Sequence, residues 1–115
     1  MTTIYQMTLT ATTTEGSDAF RRALAGYNKT AKQGVVRNAK FALAKRMGFK
    51  ERLYRLSEVP FVVAIETEFS GVSEKAFGGR SNFDWWKSNM QEKLIEMEKA
   101  EKITKEDYTV EFEEL

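Results

Sequence analysis

Four glutamates stand at alternate positions of two segments that have the pattern of β-strands. Glu66 and Glu68 alternate with Ile65, Thr67 and Phe69 in the segment 61–69, and Glu111 and Glu113 alternate with Val110 and Phe112. Because residues two apart in a strand share a face, we expect all four carboxylates on one open face of a sheet. Such a face could bind Mg²⁺ through oxygen ligands, or it could dock on a basic surface of another protein. Ordinary solubility of an exposed strand is the simpler alternative.

The chain of 115 residues has no histidine and no cysteine. Ser-His and Cys-His catalysis are therefore excluded, and a zinc centre is disfavoured because zinc usually takes Cys or His ligands. The composition predicts a protein that is not an enzyme and needs no cofactor or metal. An enzyme that uses magnesium and the four glutamates is the alternative.

Basic residues are concentrated in the segment 21–55, which holds eleven of them and one acidic residue, a net charge of +10. Lys and Arg contacts to phosphates supply most non-specific affinity for nucleic acids, and an aromatic side chain can stack on a base. A solvated helix face is the plain alternative. The candidate nucleic-acid-binding residues are Arg37, Lys40, Phe41, Lys45, Arg46, Lys50, Arg52 and Arg55.

The segment 92–115 has the opposite bias, with nine acidic residues and four lysines, a net charge of −5. We hypothesise a nucleic-acid-associated binding protein; the alternative is a small interaction module, or an inhibitor of the viral or anti-defence type, which docks on another macromolecule such as a nucleic-acid-binding protein. Candidate partner-binding residues are the four glutamates and Trp85. A helical wheel places Trp85 opposite the predicted buried stripe of its helix, which consists of Phe83, Trp86, Met90, Leu94 and Met97. The separated charge also favours a homo-oligomer.

Hydrophobic periodicity gives the order of the elements that must position these residues. Alternation predicts strands, a repeat of three or four residues predicts helices, and Pro60 separates two strands of a hairpin. The predicted elements are a strand from Tyr5 to Thr12, a helix over 18–27 capped by Ser17, a helix over 31–47, strands over 52–59 and 61–69, a loop over 71–82, a helix that ends near Lys102 and a last strand over 108–113.

This order predicts one α+β domain over 1–115, with a ferredoxin-like split β-α-β-β-α-β arrangement. Its four-stranded antiparallel sheet would have the strands in the order four, one, three, two, with the helices on one face. The alternative is a winged helix-turn-helix, in which a helix pair precedes a hairpin. No apolar run is long enough to span a bilayer, so we expect a cytoplasmic protein with no membrane contact.

Overall fold

The computed structural model describes residues 2–24, 50–70 and 82–115. Within these ranges, segments with alternating apolar residues form strands, and segments with a helical apolar repeat form helices. The predicted helix over 31–47 and most of the predicted loop over 71–82 lie outside the described residues. The elements are β1 (Thr2–Ala11), α1 (Thr14–Ala23), β2 (Lys50–Glu58), β3 (Phe61–Ser70), α2 (Asn82–Glu101), a 3₁₀ helix (Lys105–Asp107) and β4 (Tyr108–Glu114).

The strands form one antiparallel sheet in the order β2-β3-β1-β4, so β1 lies inside the sheet and β2 and β4 lie at its edges. Alternate residues of β1, such as Met7 and Leu9, are fully buried, because the same face of the sheet carries the hydrophobic core. Met7 pairs with Ile65 of β3 and with Phe112 of β4, which continues one apolar row across three strands. The predicted α+β fold with a four-stranded antiparallel sheet is confirmed.

Helix α2 covers this apolar face with the predicted stripe. Trp86, Met90, Leu94 and Met97 recur every three or four residues, and each is at most 3% exposed. The indole Nε1–H of Trp86 donates a hydrogen bond of 3.0 Å to the hydroxyl of Thr67, which is also fully buried. Buried polar groups usually have such partners, and this bond connects α2 directly to β3.

Helix α1 begins four residues earlier than the sequence pattern predicts. Thr13, and not Ser17, is the N-cap, because its hydroxyl accepts a hydrogen bond of 3.1 Å from the backbone N–H of Gly16. Gly16 lies inside the helix, where a Cβ would overlap the carbonyl oxygen of Asp107. The glycine therefore permits a close approach between the helix and the 3₁₀ turn, and it does not end an element there.

Asp107 connects this turn to the start of α1. Its carboxylate accepts hydrogen bonds from the Thr104 backbone N–H at 2.8 Å and from the Thr13 hydroxyl at 2.7 Å, and its carbonyl accepts the Thr12 backbone N–H at 2.9 Å. These bonds hold the pKa of Asp107 below its usual range, with the Thr104 N–H as the largest cause. Within the described ranges, no helix is long and apolar enough to cross a membrane.

Candidate functional site

The face of the sheet turned away from the helices carries the four predicted glutamates. Glu66 and Glu68 lie on β3, and Glu111 and Glu113 lie on β4, with Thr8 and its neighbours on β1 between them. Glu111 and Glu113 are exposed, and the two glutamates of β3 are half-buried. The four residues therefore share one face, which we call the open face.

The open face does not gather these carboxylates around one point. Glu66 and Glu113 are both paired with Gln6 of β1, so their backbones are two strand spacings apart, roughly 10 Å. The Gln6 side-chain amide donates a hydrogen bond of 3.1 Å to the Glu66 carboxylate. In the part of the chain that the structure describes, no group of three carboxylates could hold a metal ion. The open face is thus a broad acidic surface.

Arg52 forms a basic border to the open face at the β2 edge. It is paired with Glu66 and lies beside Tyr54, which is 41% exposed, and beside a shallow depression that it lines with Ile4, Glu66 and Glu68. A hydrogen bond with Tyr54 is the main cause that raises the pKa of the Arg52 guanidinium, and the two glutamates add to it. The open face therefore changes from positive charge at β2 to negative charge at β4.

Arg55 lies on the opposite face of β2, because three positions separate it from Arg52. It forms an ion pair of 3.2 Å with Glu58, which also pairs with Arg21 at 2.9 Å. Both guanidinium groups stack over the ring of Phe61, with Cζ atoms 4.4 Å from its centroid for Arg21 and 5.5 Å for Arg55. A hydrogen bond from Arg21 is the largest cause that lowers the pKa of Glu58.

The predicted nucleic-acid-binding residues do not form one surface where the structure describes them. Arg52 and Arg55 lie on opposite faces, and a carboxylate already neutralises Arg55. The backbone of Lys50 starts β2, although its side chain is not described. Arg37, Lys40, Phe41, Lys45 and Arg46 lie outside the described residues.

Trp85 is less available than its position on a helical wheel predicts. It is half-buried and packs against the edge of the hydrophobic core, together with Phe83. The wheel assumes that only one stripe of α2 meets the sheet, whereas the first turns of this helix are packed over a wider angle. Trp85 therefore contributes to folding, and its role as an interface anchor stays a prediction.

A groove between α2 and β4 is a feature that the sequence analysis missed. It has a volume of about 470 Å³ and is lined by Leu94, Ile95, Val110 and polar neighbours. At its rim, the Tyr108 hydroxyl donates a hydrogen bond of 2.7 Å to Glu98, and burial followed by this carboxylate raises the pKa of Tyr108. The one sign of this groove in the sequence was Ile95, an apolar residue outside the predicted stripe. The structure leaves Ile95 42% exposed.

Comparison with models of protein families, with curated proteins and with solved structures found no match. What the protein does is therefore inferred from its own charges and contacts. The features that bear on function are the acidic open face, its basic border at Arg52 and the groove beside β4.

Proposed function

We propose that this chain is a non-enzymatic binding protein that docks its open face on a basic surface of another protein. The observation that carries the proposal is the placement of Glu66, Glu68, Glu111 and Glu113 on one face of the sheet. A basic partner surface would meet carboxylates on both sides of β1 at once. Such complementarity speeds encounter and fixes orientation more than it adds affinity.

The shape of the open face suits docking better than it suits a small ligand. Ile4, Gln6 and Thr8 of β1 lie opposite the glutamates, so a partner that reaches both pairs of carboxylates must span three strands and cover these uncharged side chains. The depression beside Arg52 has a volume of only about 30 Å³, which is the space of a water molecule. A macromolecular surface is therefore the better fit for this face.

A charge-reversal experiment tests this proposal. The tagged protein is used for affinity purification from its native cell after nuclease treatment, and it is compared with a Glu111→Lys/Glu113→Lys variant. Glu92→Lys/Glu106→Lys makes the same change in net charge at exposed positions outside the open face. We expect one stoichiometric basic protein with the wild type and the control variant, but not with the open-face variant. A partner retained equally by all three proteins would refute docking through this face.

Nucleic acid is the second candidate partner, supported by the +10 charge of the segment 21–55 and by the exposed Tyr54 beside Arg52. Affinity for a short DNA or RNA should then fall steeply with added salt. A Lys40→Glu/Lys45→Glu variant should bind more weakly than a Lys99→Glu/Lys102→Glu control at the other end of the chain. If no probe binds even at low ionic strength, this candidate is rejected.

We further propose that the fold is ferredoxin-like. The order β2-β3-β1-β4, with α1 following β1 and α2 following β3, supports it. The winged helix-turn-helix alternative is disfavoured because β1 is an inner strand with two antiparallel neighbours. An experimental structure that places the segment 25–49 on the helical face would agree with the proposal, and one that places it on the open face would contradict it.

A further inference from the structure

The two edge strands of the sheet carry opposite charge on the open face. On β4, Glu111 and Glu113 follow Thr109 at alternate positions, whereas β2 has Arg52 and the register position of Lys50 on the same face. Among the described residues, no strand pairs with the outer edge of either. An unpaired edge presents a row of backbone N–H and C=O groups that can accept another strand.

We propose that the β4 edge of one copy of this chain pairs with the β2 edge of a second copy, so that the sheet continues from molecule to molecule. This inference goes beyond the proposed docking function, because it concerns the edges of the sheet and the partner is the chain itself. Three features of the two edges indicate that the pairing strand comes from a second copy: the direction of the strands, the pattern of their backbone hydrogen bonds and their charge.

Strand direction fits without inverting the second copy, which needs only the rotation that the twist of the sheet imposes. Each neighbouring pair in the order β2-β3-β1-β4 is antiparallel, so β2 and β4 run in opposite directions. A copy shifted sideways along the sheet therefore brings its β2 antiparallel to β4 of the first copy. The same shift keeps the helices of both copies on one side and both open faces on the other.

The hydrogen-bond pattern fits for a related reason. In an antiparallel sheet, each residue directs its N–H and C=O to one neighbouring strand, so bonded and non-bonded pairs alternate along a row. The row Arg52, Glu66, Gln6, Glu113 crosses all four strands. This row contains three pairs, so its first pair (Arg52 with Glu66) and its last pair (Gln6 with Glu113) are of the same type. The new pair, between Glu113 and Arg52 of the second copy, is therefore of the other type, and the alternation continues across the contact.

Charge selects this pairing over the symmetric ones. Two β4 edges would oppose glutamates to glutamates, and like charges directly opposite each other in a sheet are destabilising. The pairing of β4 with β2 instead places Arg52 opposite Glu113, or opposite Glu111 if the strands shift by two residues. A shift of one residue is excluded, because it would turn the side chains to the wrong faces. Such a contact is heterologous, so it gives open chains of molecules or closed rings.

Charge reversal with rescue tests the proposal. We would measure the sedimentation of the wild type, of Arg52→Glu and of Glu113→Arg at low and high salt, each alone and in a one-to-one mixture. The wild type should form concentration-dependent assemblies at low salt that dissociate at high salt, because the charged pairs are exposed. Each variant alone should be monomeric. Their mixture should assemble again, since each reversed edge then meets its complement on the other variant.

Further variants separate the pairing from other effects. Lys99→Glu and Glu92→Arg change the same charges on exposed positions of α2, and they should leave assembly intact. Arg52 also lies opposite Glu66 within the chain, so circular dichroism and the melting temperature must show that Arg52→Glu is folded. A mixture with Glu111→Arg repeats the rescue for the register shifted by two residues.

Rescue by either glutamate variant supports the proposal and identifies the register. Rescue by neither variant, with both proteins folded, overturns it, as does a wild type that stays monomeric at high concentration and low salt. Arg52→Glu removes edge pairing but keeps all four docking glutamates, so this variant should still retain the basic partner in the affinity purification, whereas Glu111→Lys/Glu113→Lys should lose it. Failure of one proposal is therefore distinguishable from failure of the other.

Discussion

The buried hydrogen bond between Trp86 and Thr67 gives the sharpest stability prediction. Thr67→Val keeps the shape of the side chain and removes the acceptor of the Trp86 indole N–H, which is 3.0 Å away. Both residues are fully buried, so no water can replace the lost partner without a rearrangement. A buried donor left without a partner typically reduces the free energy of unfolding by about 1–3 kcal/mol.

The expected shift of the melting temperature follows from the length of the chain. With an unfolding entropy of about 2.1 cal/mol/K per residue, the 115 residues have about 0.24 kcal/mol/K in total. A loss of about 1–3 kcal/mol therefore lowers the melting temperature by roughly 4–12 °C. The measurement is thermal unfolding followed by circular dichroism, with urea unfolding as a check that the transition is two-state.

Two further variants decide whether the hydrogen bond is the cause. Thr8→Val makes the same replacement on the open face and should change the free energy of unfolding by less than about 0.5 kcal/mol. Trp86→Phe should be more destabilising than Thr67→Val, since it also leaves a cavity. The double variant should lose less than the sum of the two, because neither partner is then left unpaired. Equal effects of Thr67→Val and Thr8→Val, or strictly additive losses, would refute this account.

Three further predictions concern the 3₁₀ turn that precedes β4 and the contacts around it. Gly16→Ala should lower the urea midpoint although alanine favours helices, because its Cβ would overlap the carbonyl oxygen of Asp107; an unchanged or higher midpoint would contradict the close approach. The lowered pKa of Asp107 stabilises the fold above the carboxyl's unfolded pKa, near 4, and this contribution is lost as the pH falls. Asp107→Asn should therefore be less stable than the wild type at neutral pH, and its free energy of unfolding should fall less steeply toward acid pH. The raised pKa of Tyr108 stabilises the fold below the unfolded pKa, near 10, and this contribution is lost as the pH rises above it. Tyr108→Phe should therefore flatten the alkaline limb of the stability curve, and an unchanged limb would contradict a raised pKa at this position.

The strands and the buried stripe of α2 could be predicted because burial acts directly on the local pattern. Alternation in β1 and the spacing from Trp86 to Met97 each reflect one face that must leave water, and the structure buries those residues. The start of α1 could not be found in the same way. Gly16 has the local appearance of a break, and its real constraint is the carbonyl of Asp107, which is ninety-one positions away in the sequence.

The faces on which the candidate site residues lie could be predicted in part. The sharing of one face by Glu66, Glu68, Glu111 and Glu113 follows from the period of two in a strand. The same period of two places Arg52 and Arg55 on opposite faces of β2, since three positions separate them. The ion pairs that Arg55 and Arg21 make with Glu58 depend on how α1 crosses the hairpin, which no local pattern contains.

The strand order explains why the charge bias of the sequence becomes a property of the sheet edges. The basic segment ends in β2 and the acidic segment ends in β4, and the order β2-β3-β1-β4 sends these two strands to opposite edges. Edge pairing between copies would use backbone groups in the plane of the sheet and the charged pair at Arg52 and Glu113, and it would leave Glu66 and Glu68 of β3 on the open face for docking. The two proposed contacts are thus geometrically compatible. A row of paired copies would present Glu66 and Glu68 again at every fourth strand, so it would bind a repetitive basic surface more tightly than a single copy does.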